Sequence, residues 1–165
     1  MLLTKRKTVG RSEVMKLPDL GMFNIPAKTD TGAYRSAIHA ENIKIINEAG
    51  RVYLVADIMS HHPSVKQNHS YKTENFKEVT IENSFGHREK RYEIRLKTVV
   101  AGRKFTTSFT LADRSKKPYP VLMGRKLLNK RFLVDTSISI INRVDLKKNH
   151  IALPLDEELL YNKEI

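Results

Sequence analysis

An all-β domain is predicted by three features of the chain: long stretches of period-2 alternation, short turn signals between them, and a single brief segment that reads as helix. Residues 90–100 alternate Tyr92, Ile94, Leu96 and Thr98 on one face with Arg91, Glu93, Arg95 and Lys97 on the other, the repeat of a strand rather than of a helix. The turn Ala101-Gly102-Arg103 then leads into Phe105, Thr107, Phe109 and Leu111 on alternate positions, which makes this the best hairpin in the chain. Residues 35–46 alternate less cleanly, and residues 51–59 read as a strand entered from the turn at Ala49-Gly50. Strands at this spacing argue for a sandwich or barrel. Residues 124–130 form the one expected helix, too short to stand alone and therefore docked through Leu127 and Leu128. Residues 132–134 return to strand and residues 138–141 add another. The stretch 60–77 is polar and aperiodic, contains Pro63, and reads as a long loop.

The 165 residues suit one domain spanning 1–165, with a core over about 8–143 and a tail at 150–165. No run of about 18 apolar residues is present, so no membrane-spanning helix is expected. The start, Met1-Leu2-Leu3-Thr4-Lys5-Arg6-Lys7, puts its charges after a very short apolar stretch, the reverse of a secretory signal. The chain has no cysteine, which removes disulfides, thiol nucleophiles and cysteine-type zinc sites and fits a reducing, cytoplasmic setting. Thirty Lys and Arg stand against 18 Asp and Glu, a net charge of +12. The excess is dense over residues 113–131 (Arg114, Lys116, Lys117, Arg125, Lys126, Lys130 and Arg131 against Asp113), whereas residues 156–165 are acidic. Such a field favours acidic partners.

The chemistry centres on Asp30-Thr31-Gly32-Ala33. A carboxylate at a turn tip needs a glycine nearby so that backbone N–H groups can approach it, and Gly32 supplies one. Thr31 adds a short hydroxyl, and Ala33 keeps the next position small. The tripeptide Asp-Thr-Gly by itself is a common turn. About ninety residues on, Val121-Leu122-Met123-Gly124-Arg125, followed by Leu127-Leu128, is an apolar strand ending at a glycine that can thread beside the turn and support it. This pairing makes half of an aspartic peptidase site. Asp135-Thr136-Ser137 is the one near match for a second half, and Ser137 carries a Cβ where glycine is needed. A two-chain site about a two-fold axis is the simpler solution.

Ala27 through Ala40, Leu111 through Arg125 and Arg131 through Asp135 together resemble the retropepsin-like aspartic peptidases. They resemble more closely the bacterial branch labelled as ATP-dependent zinc proteases and linked to ribosomal-protein glutamate ligases. The resemblance covers about residues 8–136. It implies a pepsin-like, closed β-barrel half that forms a homodimer. It implies Asp30 as the catalytic carboxylate of each chain, Thr31, Gly32, Ala33 and Gly124 as its supports, and Arg125 as a residue of folding and the dimer contact. Asn83-Ser84-Phe85-Gly86-His87, between two strands, would match the flap that closes over substrate, or equally is an ordinary hairpin turn. Lys28 and Thr29 stand where retropepsins place apolar residues; the bacterial branch shares the lysine, which points away from ordinary peptides. No cofactor is expected: the sequence has no His-Glu-x-x-His zinc motif and no phosphate-binding Gly-x-x-x-x-Gly-Lys-Ser/Thr loop.

Hydrolysis of a peptide or glutamate-type amide is therefore the expected reaction, with acidic protein tails as substrate and a glutamate-ligase pathway as the partner setting. Three alternatives are weighed against it. His61, His62 and His69 share the polar loop and could hold a metal, although exposed histidine clusters are usually incidental. Ser36 lacks a Gly-x-Ser-x-Gly setting and any evident partner. The basic residues of 88–97 and 113–131 could follow a phosphate backbone or a ribosome, but Tyr92, Phe105 and Tyr119 have core-like spacing rather than that of a stacking platform.

Overall fold

The computed structural model describes residues 5–141; the expected tail at 150–165 lies outside them. Eleven strands form among these residues: β1 (Lys7–Val9), β2 (Ser12–Leu17), β3 (Met22–Thr29), β4 (Ser36–Glu48), β5 (Arg51–Ile58), β6 (His69–Thr73), β7 (Lys77–Glu82), β8 (Arg88–Val100), β9 (Arg103–Ala112), β10 (Val121–Met123) and β11 (Phe132–Val134). One helical turn, α1 (Arg125–Leu128), follows β10, and a 3-10 turn at Pro18–Leu20 joins β2 to β3. The all-β expectation holds.

Nine strands belong to one sheet in the order β10-β3-β2-β8-β9-β4-β5-β6, with β7 on β8 and a further pairing of β10 to β4. That last pairing closes β10, β3, β2, β8, β9 and β4 into a ring. The expected closed barrel is thus a sheet ring from which β5, β6 and β7 extend, rather than a regular barrel. β10 is its keystone, parallel to β3 (Leu122 opposite Lys28) and antiparallel to β4 (Leu122 opposite Ala37). The two hairpins at Ala49-Gly50 and Ala101-Gly102 fall where turn chemistry places them. Each has two loop residues at positive φ (51° and 77°; 48° and 72°), the backbone whose twist matches its flanking strands. Inside the ring, Met15, Ile25, Ile38, Ile94, Phe109, Val121 and Met123 are almost wholly buried. Leu127 and Leu128 are buried too, so α1 docks as expected.

Four details depart from the sequence pattern. No element is marked over residues 7–29, yet β1, β2 and β3 form there; Pro18, Gly21 and Pro26 interrupt an alternation that pairing in the ring restores. The expected loop 60–77 contains β6 and the first residue of β7. β6 is an edge strand on β5 with half-buried residues on alternate positions, so it has no strongly apolar face to betray it. Residues 138–141 form no strand, because the carboxylate of Asp135 holds a turn by accepting from the N–H and hydroxyl of Ser137 (2.9 and 2.6 Å). Glu93, expected on a solvated face, is 2% exposed. It pairs with Arg35 and lies 3.7 Å from Lys126 Nζ, since Arg35, on the segment between the Asp30 turn and β4, covers this part of β8.

Candidate active site

β3 delivers Asp30 to the mouth of the ring. Its backbone N–H donates to Met123 O at the end of β10 (2.9 Å), and the preceding Thr29 is tied twice, by N–H to Arg11 O (2.8 Å) and by hydroxyl to Gly10 O (2.7 Å). The chain then turns back on itself. Asp30 Oδ1 accepts from the N–H groups of Gly32 (3.0 Å) and Ala33 (3.2 Å). A Cβ on residue 32 would stand 3.3 Å from that oxygen, tighter than ordinary packing, which is why glycine suits the position. The second carboxylate oxygen accepts no hydrogen bond from the described residues.

The supporting strand interlocks with this turn through backbone contacts. The N–H of Arg125 donates to Ala33 O (2.8 Å) and that of Lys126 to Tyr34 O (2.9 Å). The N–H of Gly124 donates to the buried hydroxyl of Ser36 (3.0 Å), so Ser36 braces the site. A Cβ on Gly124 would stand 2.6 Å from the backbone carbon and oxygen of Arg35, a contact real structures do not make. The Arg125 guanidinium reaches back to Thr31 O (3.0 Å) and lies 5.9 Å from the Tyr34 ring. Asp30, Thr31, Gly32, Ala33, Gly124 and Arg125 are thus one assembly. Lys28 lies two residues before Asp30 on β3, between Ser12 of β2 and Leu122 of β10.

Ser84, Phe85, Gly86 and His87 form the exposed tip of the β7–β8 hairpin. The carboxamide oxygen of Asn83 accepts from the N–H groups of Phe85 and His87 (3.0 Å each), Gly86 has φ +79°, and Phe85 is 87% exposed. The tip-side end of β7, Thr80 to Glu82, forms a cleft of about 390 Å³ with Gly32, Ala33 and Arg35 of the Asp30 segment. A larger groove of about 860 Å³ on the side of Thr31 is lined by Arg6, Arg103, Arg125, Lys126, Lys130 and Arg131, with no carboxylate among the described residues of its walls.

Two arginines close to the site carry no signal in the strand alternation. Arg114, just after β9, donates through Nε to Tyr119 O (2.9 Å). Burial and the charge of Arg91 push its guanidinium down to about 10, while the charge of Asp30 acts in the opposite sense, so both groups lie within electrostatic reach of it. Its place is set by His39. The Arg114 N–H donates to His39 Nδ1 (2.8 Å), and His39 Nε2–H donates to Ser60 O (2.7 Å). His39 is therefore a strut beneath the site, bonded at both ring nitrogens.

That commitment bears on metal binding. His39, Glu41 and Asp113 bring ligand atoms within 4.8 Å of one another, but the lone pair of His39 is already taken by the Arg114 N–H. The loop histidines do not converge either. His62 is buried and bonded at both nitrogens, to Arg114 O, Lys117 O and Ser64 N–H. His61 is exposed on Glu41 (2.8 Å), and His69 opens β6. These residues do not fit a zinc site.

Residues 8–144 match the family described as RimB-like, the retropepsin-like aspartic endopeptidase RimB. Proteins called "Probable alpha-L-glutamate ligase" from Shewanella pealeana and Shewanella halifaxensis are each 30% identical over 131 residues, 79% of this chain and 29% of their own length. One of the same name from Desulfotalea psychrophila is 26% identical over 136 residues. The chain spans under a third of these relatives, whose ligase names refer to much longer proteins. The crystal structure of Lpg0085 from Legionella pneumophila, described as of unknown function, superposes with a TM-score of 0.64 at 26% identity, over 82% of this chain and 97% of that one. With a family match across nearly the whole described fold, and with an Asp-Thr-Gly turn clasped by a glycine-ended strand, the chain belongs to the RimB-like family of retropepsin-like aspartic endopeptidases.

Proposed function

We propose that this chain supplies one half of a two-chain aspartic peptidase that hydrolyses peptide or glutamate-type amide bonds in acidic protein tails. The observation that carries the reading is the state of Asp30: one oxygen is fixed by two backbone N–H groups, and the other is open. When two such turns meet on a two-fold axis, the like charges cannot both ionise, and the pair shares a proton. One carboxylate takes a proton from a bridging water while the other donates to the amide carbonyl. No group beyond the two aspartates is needed for proton transfer.

The acidic substrate is supported by the net charge of +12, by the arginines around Asp30, and by the glutamate-ligase names of the relatives. A ligase makes glutamyl amide bonds; a hydrolase of those bonds has a chemical counterpart beside it. The test is hydrolysis of a peptide pool that includes oligoglutamate-tailed members, by wild type and Asp30→Asn side by side. Wild type should cleave glutamate-rich members, and Asp30→Asn should be slower by about 10²- to 10⁴-fold, the range of a lost general acid–base. Equal rates in the two proteins would exclude the dyad. Cleavage of neutral peptides at least as fast as acidic ones would exclude the substrate class.

A second reading has one specific observation in its favour: the basic groove beside Thr31, whose described lining carries six Lys and Arg side chains and suits a phosphate backbone on RNA or a ribosome. Binding there should weaken steeply with salt and be indifferent to Asp30→Asn.

A further inference from the structure

The cleft between the Asp30 turn and the tip-side end of β7 contains three guanidinium groups, from Arg35, Arg91 and Arg125, against one carboxylate among the described residues, that of Glu82. Their hydrogen bonds differ. Arg35 pairs with the buried Glu93, and Arg125 donates to Thr31 O. Glu82 lies 3.8 Å from Arg88. Arg91 donates through Nη2 to the exposed Glu89 (3.1 Å), but its Nε is buried and has no hydrogen-bond partner. A buried, unsatisfied nitrogen on a charged group is costly, and a guanidinium edge is a two-pronged donor shaped for a carboxylate. The cleft that Arg91 lines also contains Gly32 and Ala33, the two residues whose N–H groups hold Asp30. The unsatisfied nitrogen therefore belongs to a side chain at the wall of the Asp30 turn.

We infer that Arg91 is a specificity-determining residue, holding a carboxylate side chain of the substrate next to the scissile amide. The inference rests on the peptidase reading and adds to it the residue that selects the substrate. An incoming carboxylate takes the Nε–H and an Nη–H together, satisfying the orphaned nitrogen and giving up only a solvent-exposed contact to Glu89. The two repulsive neighbours, Arg91 and Arg114, also gain a counter-charge between them and the site. In a two-fold pair each chain contributes one such cleft, so one Arg91 faces each side of the bond. Acidic residues on both sides should therefore be preferred to one alone.

Two measurements separate this inference from the reading beneath it. Binding of a fluorescent oligoglutamate peptide is followed by anisotropy with Asp30→Asn protein, which retains the cleft, and with Asp30→Asn/Arg91→Met. The second should bind at least about tenfold more weakly, the loss of one charge-assisted hydrogen-bond pair, and an oligoglutamine control should bind both equally. In turnover, Arg91→Met should lose kcat/KM on glutamate-rich peptides by a factor at least about tenfold larger than on neutral peptides; Arg91→Lys, which keeps the charge without the fork, should recover only part. Equal oligoglutamate binding by the two Asp30→Asn proteins, or no binding by either, overturns the role of Arg91. Cleavage that survives Asp30→Asn would instead overturn the peptidase reading, whatever Arg91 does.

Discussion

Glu13 and Gly124 show how single residues hold the site against their own preferences. Glu13 sits on β2 with its carboxylate buried, accepting from the Gly10 N–H (2.9 Å), and Gly10 in turn accepts the Thr29 hydroxyl beside Asp30. Burial pushes the Glu13 carboxyl up, and the Gly10 bond only partly opposes it. The folded state therefore holds this proton more tightly than the unfolded chain, and stability falls as pH rises above the ordinary glutamate value of about 4.5. Glu13→Gln keeps an acceptor for Gly10 and removes the titration. Thermal unfolding from pH 4 to 8 should show matching midpoints at the acid end and a flatter decline in the variant; parallel curves would exclude the effect. Gly124 is constrained by space rather than charge. Gly124→Ala would drive a methyl group into the Arg35 carbonyl, and because that carbonyl is backbone the neighbour cannot rotate away. Urea unfolding should show a loss of about 2 kcal/mol or more; a loss within about 0.5 kcal/mol would mean the two strands separate freely.

The elements differ in how openly the sequence announces them, and the difference follows from what each one buries. β8 and β9 were legible because Ile94, Leu96, Phe109 and Leu111 alternate into the core and a two-residue turn joins them. The Asp30 turn and its clasp were legible because the Asp, the Gly and a later glycine-ended strand stand in order in the sequence. β6 was not, because an edge strand with no strongly apolar face has no alternation to show. Glu93 misled for a related reason: a charged residue at an alternate position reads as solvated until Arg35 and Lys126, far away in sequence, arrive to pair with it. Arg91 and Arg114 were hidden likewise, since their meaning depends on which atoms lack partners. Even a legible turn carries strain. Ala101 holds φ +48°, a conformation that costs an L-residue about 1–2 kcal/mol, against about 0.5–1 kcal/mol for the extra backbone freedom of glycine. Ala101→Gly should therefore raise stability by about 0.5–1 kcal/mol in denaturant unfolding. A decrease would show that the β8–β9 turn depends on the alanine methyl.

At the scale of the molecule, one chain carries one Asp30 turn, and on the proposed reading its open carboxylate oxygen works beside that of a second chain. On the proposed two-chain reading, the small sheet of β1 and β11 is where a second chain would add. It has only two strands, too few for independent stability, and Leu133, Ile138 and Ile140 are exposed apolar residues on or after it. A two-chain site makes a quantitative demand on mixed assemblies. If wild-type and Asp30→Asn chains are unfolded together, refolded and allowed to pair at random, a wild-type fraction f yields a fraction f² of dimers with both carboxylates. At equal proportions the activity should fall to about a quarter of that of an all-wild-type sample at the same total concentration. A site complete within one chain, or one working with a single carboxylate in cooperation with Arg114, would instead leave about half. Activity per chain should also fall on dilution through the dimer dissociation constant, and analytical ultracentrifugation at the same concentrations shows whether the two transitions coincide. Coincidence with the quarter value would tie catalysis to the pair. A half value with unchanged specific activity on dilution would place the whole proton transfer within one ring and remove the need for a partner.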